Sequence, residues 1–204
     1  IGAAEDADWV VMSGSLPPGM PTSWYADVVA LLASRPCRVA VDTSDAPLAA
    51  LMSSLERGAP DLVKPNAEEL ASVLGLSPDA LEDAVAQGDP APVVAAARQL
   101  IDRGVGAVLA TLGAAGAVLV DCNGAWMASP PPITPRSTVG AGDSSLAGYV
   151  RAEVGGAVPP QRLQMAVAYG SAAAALPGTT LPSPAEIDLN AVAVSPISPI
   201  PATQ

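Results

Sequence analysis

The residues best suited to chemistry lie in the segment 137–144, Ser-Thr-Val-Gly-Ala-Gly-Asp-Ser. Gly140 and Gly142 flank Ala141 just ahead of a stretch with a helical pattern. Glycines there let the backbone turn so that several N–H groups aim at one point, at the positive end of the helix. A phosphoryl group in transfer carries its charge on its oxygens, and such a nest would stabilise it. Asp143 stands at the same place. A carboxylate there can take the proton of an attacking hydroxyl, a role worth about 10²–10⁴-fold in rate. Asp is also a favoured helix N-cap, so a purely structural reading stands beside the catalytic one.

Other segments carry weaker signals of the same kind. Thr111-Leu112-Gly113-Ala114-Ala115-Gly116 leaves one apolar run and enters another. Gly113 and Gly116 would let the backbone turn tightly and approach a ligand, or simply make a β-turn. The segment is neither a P-loop, which needs Gly-Lys-Ser/Thr, nor a dinucleotide fingerprint, which should open a helix. In Lys64-Pro65-Asn66-Ala67-Glu68-Glu69, Asn66 and Glu69 have the spacing of a capping box. Their oxygens also suit Mg²⁺, which often keeps waters. Ser13-Gly14-Ser15-Leu16-Pro17-Pro18-Gly19 offers hydroxyls and N–H groups to a polar substrate, or a rigid turn. Pro177-Gly178-Thr179-Thr180 reads as a helix stop.

These segments need a frame, and the apolar pattern supplies one. Strands are predicted over 8–12, 38–41, 61–63, 107–110, 117–120 and 124–127. Helices are predicted over 22–33, 47–55, 67–74, 93–103, 144–154 and 161–175. Residues 76–92 carry Gly and Pro breaks and read as a loop with a short helix. The alternation predicts a parallel sheet with helices on its faces, an α/β fold. In such sheets ligands sit beyond the carboxyl ends of the strands, where most of the segments above fall. Residues 1–194 form the folded part, and 195–204, with three prolines in ten residues, read as a frayed tail.

Composition excludes several functions. The net charge is −11 with only nine basic residues, so the basic face of a nucleic-acid binder is missing. With no His, a His-based triad or His-ligated zinc site is excluded. Cys37 and Cys122 have no metal-ligand spacing and read as two buried thiols. No apolar run is long enough for a membrane helix, and the expected location is cytoplasmic. Phe is absent and aromatics are scarce, so Ala, Val and Leu must build the core.

Taken in order, these segments resemble the ribokinase-like sugar kinases, also called the phosphofructokinase-B family. Segment 137–143 matches its Thr-x-Gly-Ala-Gly-Asp signature, 64–69 its Lys-Pro-Asn-x-x-Glu motif, 111–116 its nucleotide loop and 13–19 its Gly-Ser-Leu-Pro loop. The resemblance implies a three-layer α/β/α sandwich with a mostly parallel central sheet. Ser137, where other branches carry Asp, is similar to the branch that phosphorylates sugar phosphates.

The implied reaction is ATP-dependent phosphorylation of fructose 1-phosphate at C6. Fructose 6-phosphate and tagatose 6-phosphate are alternative acceptors, and nucleotide binding without catalysis is a further alternative. The resemblance implies Asp143 as base and the Gly140-Ala141-Gly142 backbone as anion hole. It implies nucleotide contacts at Lys64, Asn66, Thr111 and Gly113, and also at Gly116, Gly142 and Ser171. Ser13 and Ser15 would touch the sugar phosphate together with Asp143. Asn66 and Glu69 would organise Mg²⁺ through water. Backbone oxygens of Ser137, Val139, Ala173 and Gly178 would take a monovalent cation such as K⁺.

Full-length family members carry a further N-terminal segment with sugar-contacting residues and a lid that often makes a homodimer. No counterpart of that segment is expected in this sequence. Low or no turnover, reduced stability and an unpaired sheet edge are therefore expected.

Overall fold

The structure is a computed structural model that describes residues 2–4 and 6–197. The chain divides into two compact units, Ile1–Ala110 with Val120–Asn123, and Thr111–Leu119 with Gly124–Gln204.

The first unit is built on parallel strands. β1 (Trp9–Ser13), β2 (Arg38–Asp42), β3 (Leu62–Val63) and β4 (Ala107–Thr111) lie in that order. β1–β2, β2–β3 and β3–β4 are all parallel, with Ser13 opposite Asp42 and Val63 opposite Val108. Val39, Ala40, Val41, Leu62, Val63, Val108 and Leu109 are almost wholly buried. Runs apolar on both faces are what a parallel sheet covered by helices requires. The helices are α1 (Trp24–Leu32), α2 (Asp45–Met52), α3 (Ala67–Leu74), α4 (Pro78–Ala86) and α5 (Ala91–Ile101). Leu51, Leu70, Val93 and Leu100 are buried, each worth roughly 1.5–3 kcal/mol of transfer free energy.

Two expectations gain detail here. The short helix expected within 76–92 is α4, which spans nine of those residues. Pro78 takes the first helical turn, where its missing N–H costs nothing, and Gly88 lies beyond the helix end with φ +77. The breakers therefore bound a helix, which buried Leu81 anchors. α2 begins at Asp45, two residues earlier than expected, and Asp45 has φ +54.

The second unit holds β5 (Ala117–Asp121, through Leu119), β6 (Gly124–Ser129), β7 (Ala193–Pro196), α6 (Ala141–Val154) and α7 (Pro159–Ala175). β6 and β7 are antiparallel, Trp126 facing Pro196 and Ser129 facing Ala193. The tail expected from 195 thus starts inside a strand, and the Ile197 N–H donates to the Ala125 carbonyl at 2.8 Å. The rest of that tail, 198–204, lies outside the described residues. α6 and α7 approach closely because two glycines allow it. A Cβ on Gly148 would lie 2.7 Å from the Met165 carbonyl oxygen, and one on Gly170 2.2 Å from Ser145 Oγ.

The mostly parallel α/β fold is therefore as expected. Cys37 is buried as expected, but Cys122 is exposed. Cys122 sits in the turn between β5 and β6, where the Asn123 N–H donates to Asp121 Oδ1 at 2.7 Å. Among the described residues no helix is long and apolar enough to cross a membrane.

Candidate active site

In the first unit the polar groups gather at the carboxyl ends of three adjacent strands. Ser13 ends β1, Asp42 ends β2 and Lys64 follows β3. The Lys64 ammonium lies 3.1 Å from Asp42 Oδ2 and is 7% exposed. Ser13 Oγ lies 3.4 Å from the same oxygen, and the Gly14 N–H donates to the Asp42 carbonyl at 2.9 Å. The Gly14 carbonyl accepts from the Tyr25 and Thr43 hydroxyls at 2.7 and 3.0 Å. The loop after β1 is thus tied down on both sides of Gly14. Ser15 opens beyond it into a cleft that Ser44 and Asp45 also line.

Asn66 and Glu69 form the capping box that starts α3. Asn66 Oδ1 accepts from the Glu69 N–H at 2.8 Å, and Glu69 Oε2 accepts from the Asn66 N–H at 2.9 Å. The capping reading and the ligand reading are compatible, because each side-chain oxygen keeps further acceptor capacity. Burial pushes the Glu69 carboxyl above its ordinary value. The Asn66 N–H and Lys64 pull it back, while Asp42 and Asp45 add to the rise. Lys64, Asp42, Asn66 and Glu69 therefore form one electrostatic group.

The second unit carries the glycine loops. Gly140 is the N-cap of α6 with φ +79, a left-handed conformation that suits glycine. Ala141, Gly142 and Asp143 make the first helical turn. Asp143 is exposed and lies three residues past the cap, so it does not occupy the N-cap position. The Ala141 N–H donates to the Thr138 carbonyl at 3.2 Å. Gly140, Ala141 and Gly142, the expected anion-hole residues, thus lie at the cap and first turn of α6.

Thr111 ends β4, and Gly113–Ala115 form a single 3₁₀ turn. The Leu112 N–H donates to the Gly116 carbonyl at 2.8 Å. Gly116 has φ +104, and a Cβ there would lie 1.9 Å from the Ala128 carbonyl oxygen. Its glycine is required by packing on β6, whatever else it does. Gly113, φ +56, would meet nothing within 4 Å.

Ser171 is part-buried on α7 and its hydroxyl donates to the Ala168 carbonyl at 3.2 Å. The Arg136 and Ser137 N–H groups donate to the Ala174 carbonyl at 2.8 and 3.3 Å. This brings Ser137 to the end of α7 that carries Ala173.

Sequence reasoning missed Asp42 and Asp45. The only trace of Asp42 was an acidic residue closing the apolar run 38–42. Asp45 is marked by its backbone conformation, which residue type does not reveal.

Residues 2–186 match the family model described as pfkB family carbohydrate kinase. The chain belongs to the pfkB family of carbohydrate kinases. It is 39% identical over 181 residues to a 1-phosphofructokinase of Rhodobacter capsulatus, covering 89% of this chain and 53% of that one. It is 33% identical over 173 residues to the ATP-dependent 6-phosphofructokinase isozyme 2 of Escherichia coli, covering 84% and 52%. Among solved structures it is similar to phosphofructokinase-2 from Escherichia coli in complex with potassium. There the TM-score is 0.76 with 31% identity, over 88% of this chain and 55% of that one. This pfkB chain spans about half the length of the curated relatives it matches.

Proposed function

We propose that the protein serves ATP-dependent transfer of a phosphoryl group to the C6 hydroxyl of fructose 1-phosphate. The observation that supports this most is the placement of Asp143. A left-handed glycine caps α6, and the carboxylate stands in the first turn instead of at the cap. In that position it could take the proton of an attacking hydroxyl, while the helix N-terminus favours the negative charge on the transferred group.

In this reading the Gly140-Ala141-Gly142 backbone contributes amides to the phosphoryl oxygens. Gly113 and Gly116 border the nucleotide with Thr111 and Ser171. Lys64 supplies a positive charge toward its phosphates, and Ser13 and Ser15 meet the sugar phosphate.

A divalent cation fits the first unit's donor set. Glu69 and Asn66 offer hard oxygen ligands, and Glu69 and Asp42 bring negative charge around them. Mg²⁺ often keeps several waters, so these two side chains would hold it only in part. When bound with the nucleotide it would neutralise charge on the phosphates. A monovalent cation would find backbone carbonyls at the negative end of α7, near Ser137, Val139, Ala173 and Gly178.

The test is ADP release by the 204-residue chain with MgATP, offering fructose 1-phosphate, fructose 6-phosphate and tagatose 6-phosphate in turn. The highest kcat/KM is expected with fructose 1-phosphate, and Asp143→Asn should lower it by about 10²–10⁴-fold. A preference for fructose 6-phosphate would support the second reading, which the 33% identity to the 6-phosphofructokinase favours. ATP binding without turnover on any sugar would leave a nucleotide-binding module.

A further inference from the structure

α6 starts on a turn that one long hydrogen bond closes. Gly140 has φ +79 and ψ −2, the angles of the third position of a type II turn. The Ala141 N–H closes that turn on the Thr138 carbonyl at 3.2 Å, the long end of the range for such bonds. Upstream, the Arg136 and Ser137 N–H groups are fixed on the Ala174 carbonyl, and the Ser137 hydroxyl accepts from the Val139 N–H at 3.2 Å. Val139, at the tip, is exposed. Many turns of this size lack the closing bond altogether, so this one can open while the residues before it stay in place.

Beneath the turn lies an idle hydroxyl. Ser144, the fourth residue of α6, is 5% exposed, and its Oγ has no hydrogen-bond partner among the described residues. A buried polar group left unpaired weighs against the fold. Helical side chains tilt toward the N-terminus, so this one leans over the first turn. A serine inside a helix often donates to the carbonyl four residues back. Here that carbonyl belongs to Gly140, which accepts from the Ser144 N–H at 2.9 Å, and a carbonyl oxygen has two lone pairs.

The Gly140 carbonyl and the Ala141 N–H are the two ends of one peptide group. A hydrogen bond at either end polarises the group and strengthens the bond at the other. An anion that draws the Ala141 N–H off Thr138 makes the Gly140 carbonyl a better acceptor, and Ser144 is the donor that the helix places behind it.

We propose that Ser144 is a positioning residue for the phosphoryl group. As the Ala141 N–H leaves the Thr138 carbonyl for a phosphoryl oxygen, the Ser144 hydroxyl takes up a hydrogen bond to the Gly140 carbonyl. The idle hydroxyl weighs on the free chain and is satisfied in the bound one, and the difference favours binding. Ser144 itself touches no substrate; it acts through the Gly140–Ala141 peptide. This rests on the reading of the α6 start as the place of the transferred phosphoryl group.

The experiment is a ¹⁵N NMR titration of the 204-residue chain and of its Ser144→Ala and Ser144→Thr variants with MgATP, beside thermal unfolding without ligand. MgATP should shift the Ala141 and Gly142 amides saturably in the unaltered chain. Ser144→Ala should weaken MgATP by about tenfold, the size of one ordinary hydrogen bond. Without ligand it should melt no lower than the parent, because the hydroxyl it removes has no bond to lose. Ser144→Thr keeps a hydroxyl and should bind as the parent does. A serine with a merely structural role would lose stability and binding together. The proposal is overturned if Ser144→Ala binds undiminished or melts below the parent, or if a folded Ser144→Thr loses as much affinity as Ser144→Ala. MgATP that moves the Gly113 and Gly116 amides but neither Ala141 nor Gly142 rejects the exchange alone and leaves nucleotide binding standing. MgATP that moves none of the four rejects the kinase reading and the exchange with it.

Discussion

Glu69 shows how a single capping side chain can carry a cost to the fold. Its carboxylate completes the capping box of α3 and is half-buried beside Asp42 and Asp45. Burial raises its folded pKa above the ordinary 4.5, which stands for the unfolded chain. A raised value means the protonated form is favoured on folding. The associated stability is fully present below the unfolded value and is lost as pH rises through the folded one. At neutral pH the ionised carboxylate therefore weighs against folding. Glu69→Gln keeps an acceptor for the Asn66 N–H and removes the charge. Urea unfolding should show the variant more stable than the parent at neutral pH, with the gap closing as pH falls toward the ordinary carboxylate value. If Glu69 also organises a divalent cation, the same variant should lose Mg²⁺-supported turnover while gaining stability. A variant less stable at neutral pH would show that the charge is welcome where it stands. The capping-box spacing of Asn66 and Glu69 was legible in the sequence. The electrostatic group around them was not, because Asp42 joins it through parallel strand register and Asp45 from the start of α2.

Among the elements, the turn between β4 and β5 separates a glycine needed for packing from one needed for conformation. A Cβ on Gly116 would overlap the Ala128 carbonyl oxygen at 1.9 Å, and φ is +104. Neither the strand nor its neighbour can move without breaking ladder hydrogen bonds. Gly116→Ala should therefore cost about 3 kcal/mol or more, from clash and backbone strain together. Gly113, with φ +56 and open space around it, should cost only about 1–2 kcal/mol on the same change. Thermal or urea unfolding of the two variants measures the difference, and equal losses would remove the close approach to β6. This also marks what the pattern of residues can and cannot disclose. Strands such as 38–42 and 107–111 were readable because β-branched and apolar runs between breakers have few other uses. The short helix expected within 76–92 is there, but its bounds were not legible, because Pro78 starts it and Gly88 follows its end. The same residue types break or bound a helix according to position, and only buried Leu81 tells the cases apart. Cys122 was misplaced because a thiol's average burial says nothing about a two-residue turn.

For the molecule as a whole, charge sets how stability should respond to salt. Twenty acidic residues face nine basic ones, for a net −11. Self-repulsion on that scale weakens the compact state. Ion pairs act against that repulsion. Arg57–Asp27 is exposed at 2.9 Å and worth at most about 1 kcal/mol. Arg162–Glu153 lies at 3.6 Å and is largely covered. Lys64–Asp42 is buried, and buried pairs are screened much less than exposed ones. Raising ionic strength from about 0.01 M to about 0.1 M shortens the Debye length from roughly 30 Å to roughly 10 Å. That damps repulsion between carboxylates spread over the surface, yet barely touches the Lys64–Asp42 pair. Added sodium chloride should therefore raise Tm at neutral pH, most steeply at the lowest concentrations. The rise should shrink near pH 4.1, where the net charge vanishes. Chloride is the right salt, because sulfate would stabilise through exclusion from the surface and hide the effect. A Tm that falls with chloride would mean that ion pairs outweigh the excess of carboxylates. The Lys64–Asp42 group would then be the first place to look for the missing stabilisation, through Asp42→Asn at low and high salt.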